Sequence, residues 1–301
     1  MLAIAISAHE IRYIIWERSG EELQLVGCQV IPWEHELNPF RDVARIRDMI
    51  QRIVAEAGVN KTGPVYVTLD ASFCHFSLAE VDPTWNAEEQ LEFISLCRFG
   101  GESLYTSFQY PLADTSGLFL NIDCPSLMRR AIQTVLPANS SYSHSLSVGV
   151  FSAYSYAKRV VPALERGHRL FWRASEHGPD QFLEILDGEF IALHFFNRTV
   201  SKIRPLATVG NSRLQEPIVD FIEQLSDGQD AMFPEVDSVF SYLGSGGIGF
   251  LEQILETEQS TLSLLNPFWR WNWPEVPEAD NRFTQSAFSE LADAVWAAQH
   301  V

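Results

Sequence analysis

Four glycines stand within six positions, Gly244, Gly246, Gly247 and Gly249, with Ser245 among them. An apolar run, Val239 to Leu243, leads in. Ile248, Leu251, Ile254 and Leu255 follow on one helical stripe. This order reads as strand, tight turn, helix. Glycines let a backbone come close to a ligand, and the first amides of the helix would face it. Gly244, Ser245, Gly246 and Gly247 are therefore the candidate binding residues, with a plain strand-to-helix turn as the alternative. The spacing is not the dinucleotide fingerprint, and the stretch has no phosphate-loop lysine.

Other chemistry is sparse. None of the eight histidines has metal-ligand spacing. His194 is expected to alternate outward in a strand, and His168 and His177 to flank a turn region. Asp70 ends a predicted strand, a place where catalytic carboxylates collect. It serves either as such a group or as the cap of the turn before Phe73. Asp187 with Gly188 reads as a hairpin turn. Cys28, Cys74, Cys97 and Cys124 lack ligand spacing and sit in apolar segments, so reduced core residues are expected. No nucleophile–base pair, catalytic residue or metal ligand is assigned.

The elements that must position these residues alternate along the chain. Strands are expected at Leu2–Ile6, Ile11–Glu17 and Gln24–Ile31, then a helix from Arg41 to Ala57. Two more strands follow, Pro64–Leu69 and Phe73–Val81. Asn86 with Glu89 forms a capping box. Further strands cover Leu104–Tyr110 and Leu118–Ile122, and Asp123 is expected to cap a helix through Val135. A central helix spans Ser147–Val161. The second half repeats the style, with strands at His168–Ala174, Gln181–Leu186 and Phe190–Phe196. A helix capped by Ser212 with Gln215 at its N3 position comes next, then strands at Val236–Leu243 and Thr261–Leu265. The pattern is mixed α/β.

With 39 acidic against 21 basic residues, the formal charge is −18. Ten acids and no base lie between Leu214 and Trp269. A grip on nucleic acid, which needs positive charge, is excluded on that basis. So is attraction to anionic lipid. Met1 to Ala8 is too short for a signal or a membrane span, and a soluble protein of the cytoplasm is expected. A Trp/Pro-rich stretch from Arg270 to Asn281 wraps apolar surface or meets a Pro-rich partner.

Two similarly built halves, a central helix and a late glycine turn resemble the actin-like ATPase fold. More specifically, the chain resembles the PilM-like cytoplasmic proteins of type IV pilus machines. On that resemblance Gly244–Gly247 corresponds to the adenosine turn and Asn266-Pro267-Phe268 to the family's late segment. Phe73 to Arg98 corresponds to its strand and acid-rich helix, and Thr284 to Gln299 to its return helix. The fold implied is α/β, two related actin-like (ribonuclease H-like) domains around a cleft. Residues 1–162 would form the first and 163–283 the second, with 284–301 returning to pack on the first.

The departures from that pattern bear on function. The first phosphate turn should fall at Ala5-Ile6-Ser7, where Ala5 holds the carboxylate position and Ser7 the glycine position. The second should fall near Phe171-Trp172-Arg173. ATP hydrolysis needs Mg²⁺ held and phosphate charge compensated, and an alanine holds no metal. The expectation is a non-catalytic scaffold or adaptor without a cofactor. It would bind a protein or peptide, such as a membrane protein's cytoplasmic tail, in a pilus or secretion assembly at the inner membrane face, with no nucleic acid and no membrane insertion. The alternative is a nucleotide-binding protein or weak ATPase that takes ATP and Mg²⁺, with Asp70 or Glu80 as a relocated carboxylate.

Overall fold

The computed structural model describes residues 1–19, 22–58, 65–82, 84–86, 88–90, 92–93, 105–113, 117–135, 145–175, 178–199, 202–245, 261–265 and 271–272. They divide into two compact units that part at Gly149/Val150. The expected return helix, the Asn266-Pro267-Phe268 segment and most of the Trp/Pro-rich stretch lie outside the described residues.

The first unit is built on β1, Leu2–Ile6, every residue of which is buried. A run apolar on both faces suits the interior of a sheet covered on both sides. β2 (Glu10–Ser19) and β3 (Glu22–Pro32) form an antiparallel hairpin beside it. Their register slips between Ile15 and Trp16, so that Ile15 faces Gly27 and Trp16 faces Leu25. The extra residue, Val26, bulges out and is 57% exposed. On the other side β4 (Val65–Leu69) and β8 (Ser145–Val148) continue in parallel. Helix α1 (Val43–Glu56) buries Ile46, Ile50, Ile53 and Val54 at helical spacing and packs on α2 (Ser126–Val135). Gly58, at φ +62°, stops α1 where a side chain would be strained. A second, antiparallel sheet joins β5 (His75–Glu80), β7 (Leu118–Pro125) and β6 (Tyr105–Pro111), with β7 in the middle.

In the second unit β9 (His168–Ser175), β10 (Asp180–Leu186), β11 (Glu189–Arg198) and β12 (Ile203–Gly210) run as an antiparallel meander. β13 (Ser238–Ser245) and β14 (Leu262–Leu264) add on in parallel at the β9 side. A short strand, β15 (Trp271–Asn272), follows. Helix α3 (Gly149–Val160) begins at the division between the units, and α4 (Gln215–Ser226) follows β12. On one face Leu170, Trp172, Phe182 and Phe196 pack with Ile218, Phe221, Ile222 and Leu225 of α4. Trp172 stacks on Phe182 at 5.2 Å and 11°. On the other face Phe171 meets Tyr154 of α3 at 5.6 Å and Tyr242 of β13 at 5.5 Å. Each unit thus repeats one order, three antiparallel strands followed by two parallel ones: β3-β2-β1-β4-β8 and β11-β10-β9-β13-β14.

Several expectations are corrected. Asp123 lies inside β7 rather than in a loop ahead of a helix, fully buried, accepting from Ser107 Oγ at 2.5 Å and Asn121 Nδ2 at 2.7 Å. α2 starts only after Pro125. Ser147 belongs to β8, so the central helix begins two residues later. Cys28 is exposed, because β3 shows its outer face to solvent, whereas Cys124 is buried and Cys74 half-buried. Cys97 lies outside the described residues. Ser212 accepts from the Leu214 amide at 3.1 Å, two residues ahead of the position that caps α4, which starts at Gln215. β12 was not expected, since Pro205 interrupts its pattern; as an edge strand among the described residues it tolerates the missing N–H. The Asn86–Glu89 capping box is present. Asn86 Oδ1 accepts from the Glu88 and Glu89 amides, and Glu89 reaches back to the Asn86 amide at 2.8 Å.

Candidate functional site

In the first unit, parallel pairing sets the ends of β1 and β4 side by side, Ile6 opposite Leu69. The carboxyl ends of parallel strands are where α/β sheets receive ligands. β1 turns into β2 here through Ser7, Ala8 and His9. Ser7 Oγ accepts from the amides of His9 at 3.4 Å and Glu10 at 3.1 Å. The Ser7 amide and hydroxyl both donate to the Glu10 carbonyl, at 2.9 and 3.1 Å. The turn therefore supplies, from its own serine, the acceptor that a phosphate oxygen would bring to such a nest. Ala5 is buried opposite Arg12. Arg12 is 2% exposed, and its guanidinium pairs with Glu10, Nε to Oε1 at 3.0 Å.

Asp70 stands at the same edge. Its amide donates to the Ile6 carbonyl at 2.8 Å, and its Oδ1 accepts from the Ser72 amide at 2.9 Å, capping a 3-10 turn at Ala71–Phe73. Of the two roles weighed for Asp70, capping is the one seen. Glu80 ends β5 in the three-stranded sheet and is exposed. Asp187, at φ +50°, with Gly188 makes the β10–β11 turn, as expected.

In the second unit the turn that should receive phosphate is not at Phe171-Trp172-Arg173. These residues sit inside β9 at 0%, 0% and 2% exposure, held there by the aromatic core. β9 ends at Ser175 and β10 starts at Asp180, with Gly178 at φ +124° just before it. Asp180 has no exposure at all. Its Oδ1 accepts from the Ser175 amide at 2.8 Å and its Oδ2 from Arg198 Nε at 2.8 Å. Arg198 Nη2 also donates to the Ser175 carbonyl at 3.1 Å. Burial pushes the Asp180 carboxyl above its ordinary range, and the Arg198 guanidinium offsets part of that. The carboxylate thus knits the turn together from inside.

β13 reaches the same edge. Leu243 pairs with Ala174 and Ser245 with Ser175, which leaves Gly244 as a bulge. Gly244 and Ser245 are the last residues of that strand. Gly246 and Gly247, with the rest of the glycine stretch, lie outside the described residues.

One constellation escaped sequence reasoning. His194 is corrected from outward-facing to fully buried. Its Nε2 meets Glu184 Oε2 at 3.1 Å, while Glu184 Oε1 meets His168 Nε2 at 2.8 Å. His194 Nδ1 meets Thr208 Oγ1 at 2.9 Å, and Gln215 Nε2 donates to that hydroxyl at 2.7 Å. A Glu184 carboxylate can only accept, so the imidazole Nε2–H groups donate to it. Burial pulls the Glu184 carboxyl up, but hydrogen bonds from His194, Ser212 and His168 outweigh it and hold the carboxyl below its usual value. The network fastens α4, whose first residue is Gln215, to four strands, β9 to β12. The signal was a glutamate inside the apolar run Phe182-Leu183-Glu184-Ile185, which demands a buried partner. No group of three or more His, Cys, Asp or Glu among the described residues is placed to hold a metal ion. None of their helices is long and apolar enough to cross a membrane.

Comparison with known proteins adds a fold-level statement. No family model matches the chain, and no curated protein matches it. Among solved structures it is similar to a PilM–PilN type IV pilus biogenesis complex at 11% identity and a TM-score of 0.58, covering 100% of this chain and 98% of that one. It also matches the cytoplasmic domain of EpsL, an inner membrane component of the type II secretion system of Vibrio cholerae. That match has 13% identity and a TM-score of 0.41, over 96% and 94% of the two chains. An inorganic polyphosphate/ATP-glucomannokinase from Arthrobacter sp. strain KM matches at 13% identity and a TM-score of 0.42, over 99% and 96%. The first of these likenesses shows the fold that the two chains share, a mixed α/β fold in which one strand order is repeated.

Proposed function

We propose that this chain is a non-catalytic actin-like scaffold or adaptor that binds a protein partner. The observation that carries the reading is the state of its two hairpin turns. At the first, Ser7 occupies the amides of His9 and Glu10, and Ala5 stands where a carboxylate would hold metal-bound water. At the second, Asp180 occupies the Ser175 amide and is itself paired with Arg198. Free amides and a held cation are what a nucleotide's phosphates require. Similarity to a PilM–PilN complex supports a partner from a pilus or secretion assembly. The cytoplasmic tail of an inner-membrane protein fits that reading and would place the chain at the membrane's inner face. In this reading the two units are related domains flanking a cleft, and Gly244 to Gly247 is a vestigial adenosine turn.

Calorimetric titration with ATP, with and without Mg²⁺, tests the proposal. Micromolar affinity corresponds to about −8 kcal/mol, and none of that strength is expected. Tight binding that vanishes without Mg²⁺ would sink it. Co-purification with an inner-membrane protein of a pilus or secretion assembly is the expected positive result. A second reading, a nucleotide-binding protein or weak ATPase, is favoured by one observation: parallel pairing puts Asp70 at the carboxyl edge beside the Ser7 turn. The same titration decides between them.

A further inference from the structure

Cys74 follows the 3-10 turn capped by Asp70, and its amide donates to the Ala71 carbonyl at 2.9 Å. Cys124 lies in β7, the central strand of the three-stranded sheet. β5 and β7 pair with His75 opposite Asp123, so Cys74 falls opposite Cys124 one step beyond that ladder. The two Sγ atoms are 3.0 Å apart, and both thiols are free. Directly opposed strand positions have Cβ atoms about 4.5–5.5 Å apart, close to the span a disulfide bridges, at most about 4.5 Å. Only a small turn of the side chains separates this contact from a bond. Cys74 is half-buried and Cys124 buried, so a reagent from solvent reaches Cys74 first.

We propose that Cys74 and Cys124 form an oxidisable dithiol, a modification site whose co-reactant is a low-molecular-weight disulfide. The Cys74 thiolate attacks one sulfur of the reagent; the reagent's S–S bond breaks and one thiolate leaves. Cys124, as thiolate, then attacks the Cys74 sulfur of the mixed disulfide. The Cys74–Cys124 bond forms and the second small thiol leaves. The protein gives up two electrons and two protons, and the reagent becomes two thiols. The product staples β5 to β7 and closes a loop over the segment between them. In the resting pair the hydrogen bond with Cys124, burial and the nearby Asp70 and Asp123 carboxylates all push the Cys74 thiol well above its usual range. Exchange is therefore slow at neutral pH. It accelerates by about tenfold per pH unit as the thiolate fraction rises.

The experiment uses the reduced full-length chain and glutathione disulfide at several pH values. Remaining thiols are blocked, the protein is digested without reductant, and peptides are identified by mass. The expected product is one linked pair carrying Cys74 and Cys124, lighter than the free peptides by two hydrogen atoms and released by dithiothreitol. In Cys124→Ser, glutathione should stay on Cys74 as a lasting adduct. If that variant does not fold, the peptide map of the unaltered chain decides alone. The proposal is overturned if Cys74 and Cys124 are recovered as blocked thiols while exposed Cys28 carries glutathione. It is equally overturned if Cys74 is found linked to another cysteine.

Discussion

A carboxylate without exposure survives only with partners, and Asp180 has them in Arg198 and the Ser175 amide. Arg198→Ala should therefore destabilise the protein by about 3–5 kcal/mol, because it strands a buried charge; urea unfolding measures it. Replacing both, as Asp180→Asn with Arg198→Met, should cost less than the single change. Glu184 gives a pH signature. Its folded-state pKa is depressed, so its contribution is present above the ordinary glutamate value of 4.5 and fades as pH falls through the lower folded value. Glu184→Gln should be less stable at neutral pH and should flatten the acid limb. Urea midpoints between about pH 6 and pH 3 would show no flattening if the carboxylate were not bonded as described. Single residues in both clusters were hard to read because partners lie far apart in sequence. Thr208, His194 and Glu184 belong to three strands, and their shared face depends on registers that hairpin lengths alone do not specify. Asn86 was legible because its partners sit within three residues, and Asp187 because the turn it makes with Gly188 is itself local.

At the scale of elements, hydrophobic period located α1, β1 and the β9–β11 meander well. Period failed where an element departs from its usual chemistry. β12 carries Pro205, and β7 runs past its expected end through buried Asp123, a residue that reads as a cap. The end of β12 supplies a test of register. Gly210 has φ +133°, and a Cβ there would lie 2.6 Å from the Cα and Cβ of Ala192 across the ladder. Neither neighbour is the flexible end of a long side chain. Gly210→Ala should cost on the order of 3 kcal/mol, by strain and by steric clash, with a thermal midpoint that drops accordingly. A midpoint within error of the parent chain would mean that β11 and β12 are paired differently.

For the whole molecule, the duplicated strand order was visible as repetition before it was visible as topology. Two runs of short strands, each followed by parallel additions, imply two copies of one plan, and the structure shows the same five-strand order twice. The turns that would set function were less legible. The strand pattern put the break between β9 and β10 close to its place, whereas the resemblance put the second phosphate turn at Phe171-Trp172-Arg173, inside β9. The expectation about ATP also has a whole-molecule term. A chain of formal charge −18 repels a free triphosphate at low ionic strength. Added salt should relieve that repulsion without restoring affinity, since the occupied turn amides do not depend on screening.

The outermost strand of the second sheet has a further meaning. Open sheet edges invite other chains to add on, which is how many folded proteins begin to clump. Among the described residues β12 is such an edge, and its middle carries exposed Leu206, a sticky position. Pro205 beside it has no hydrogen to lend a newcomer, the ladder is kinked opposite it between Phe195 and Phe196, and Arg204 stands exposed just before. A proline, a kink and a cation in succession make that border a poor template for stacking, so the protein can stay concentrated in a crowded cell without its meander seeding fibres.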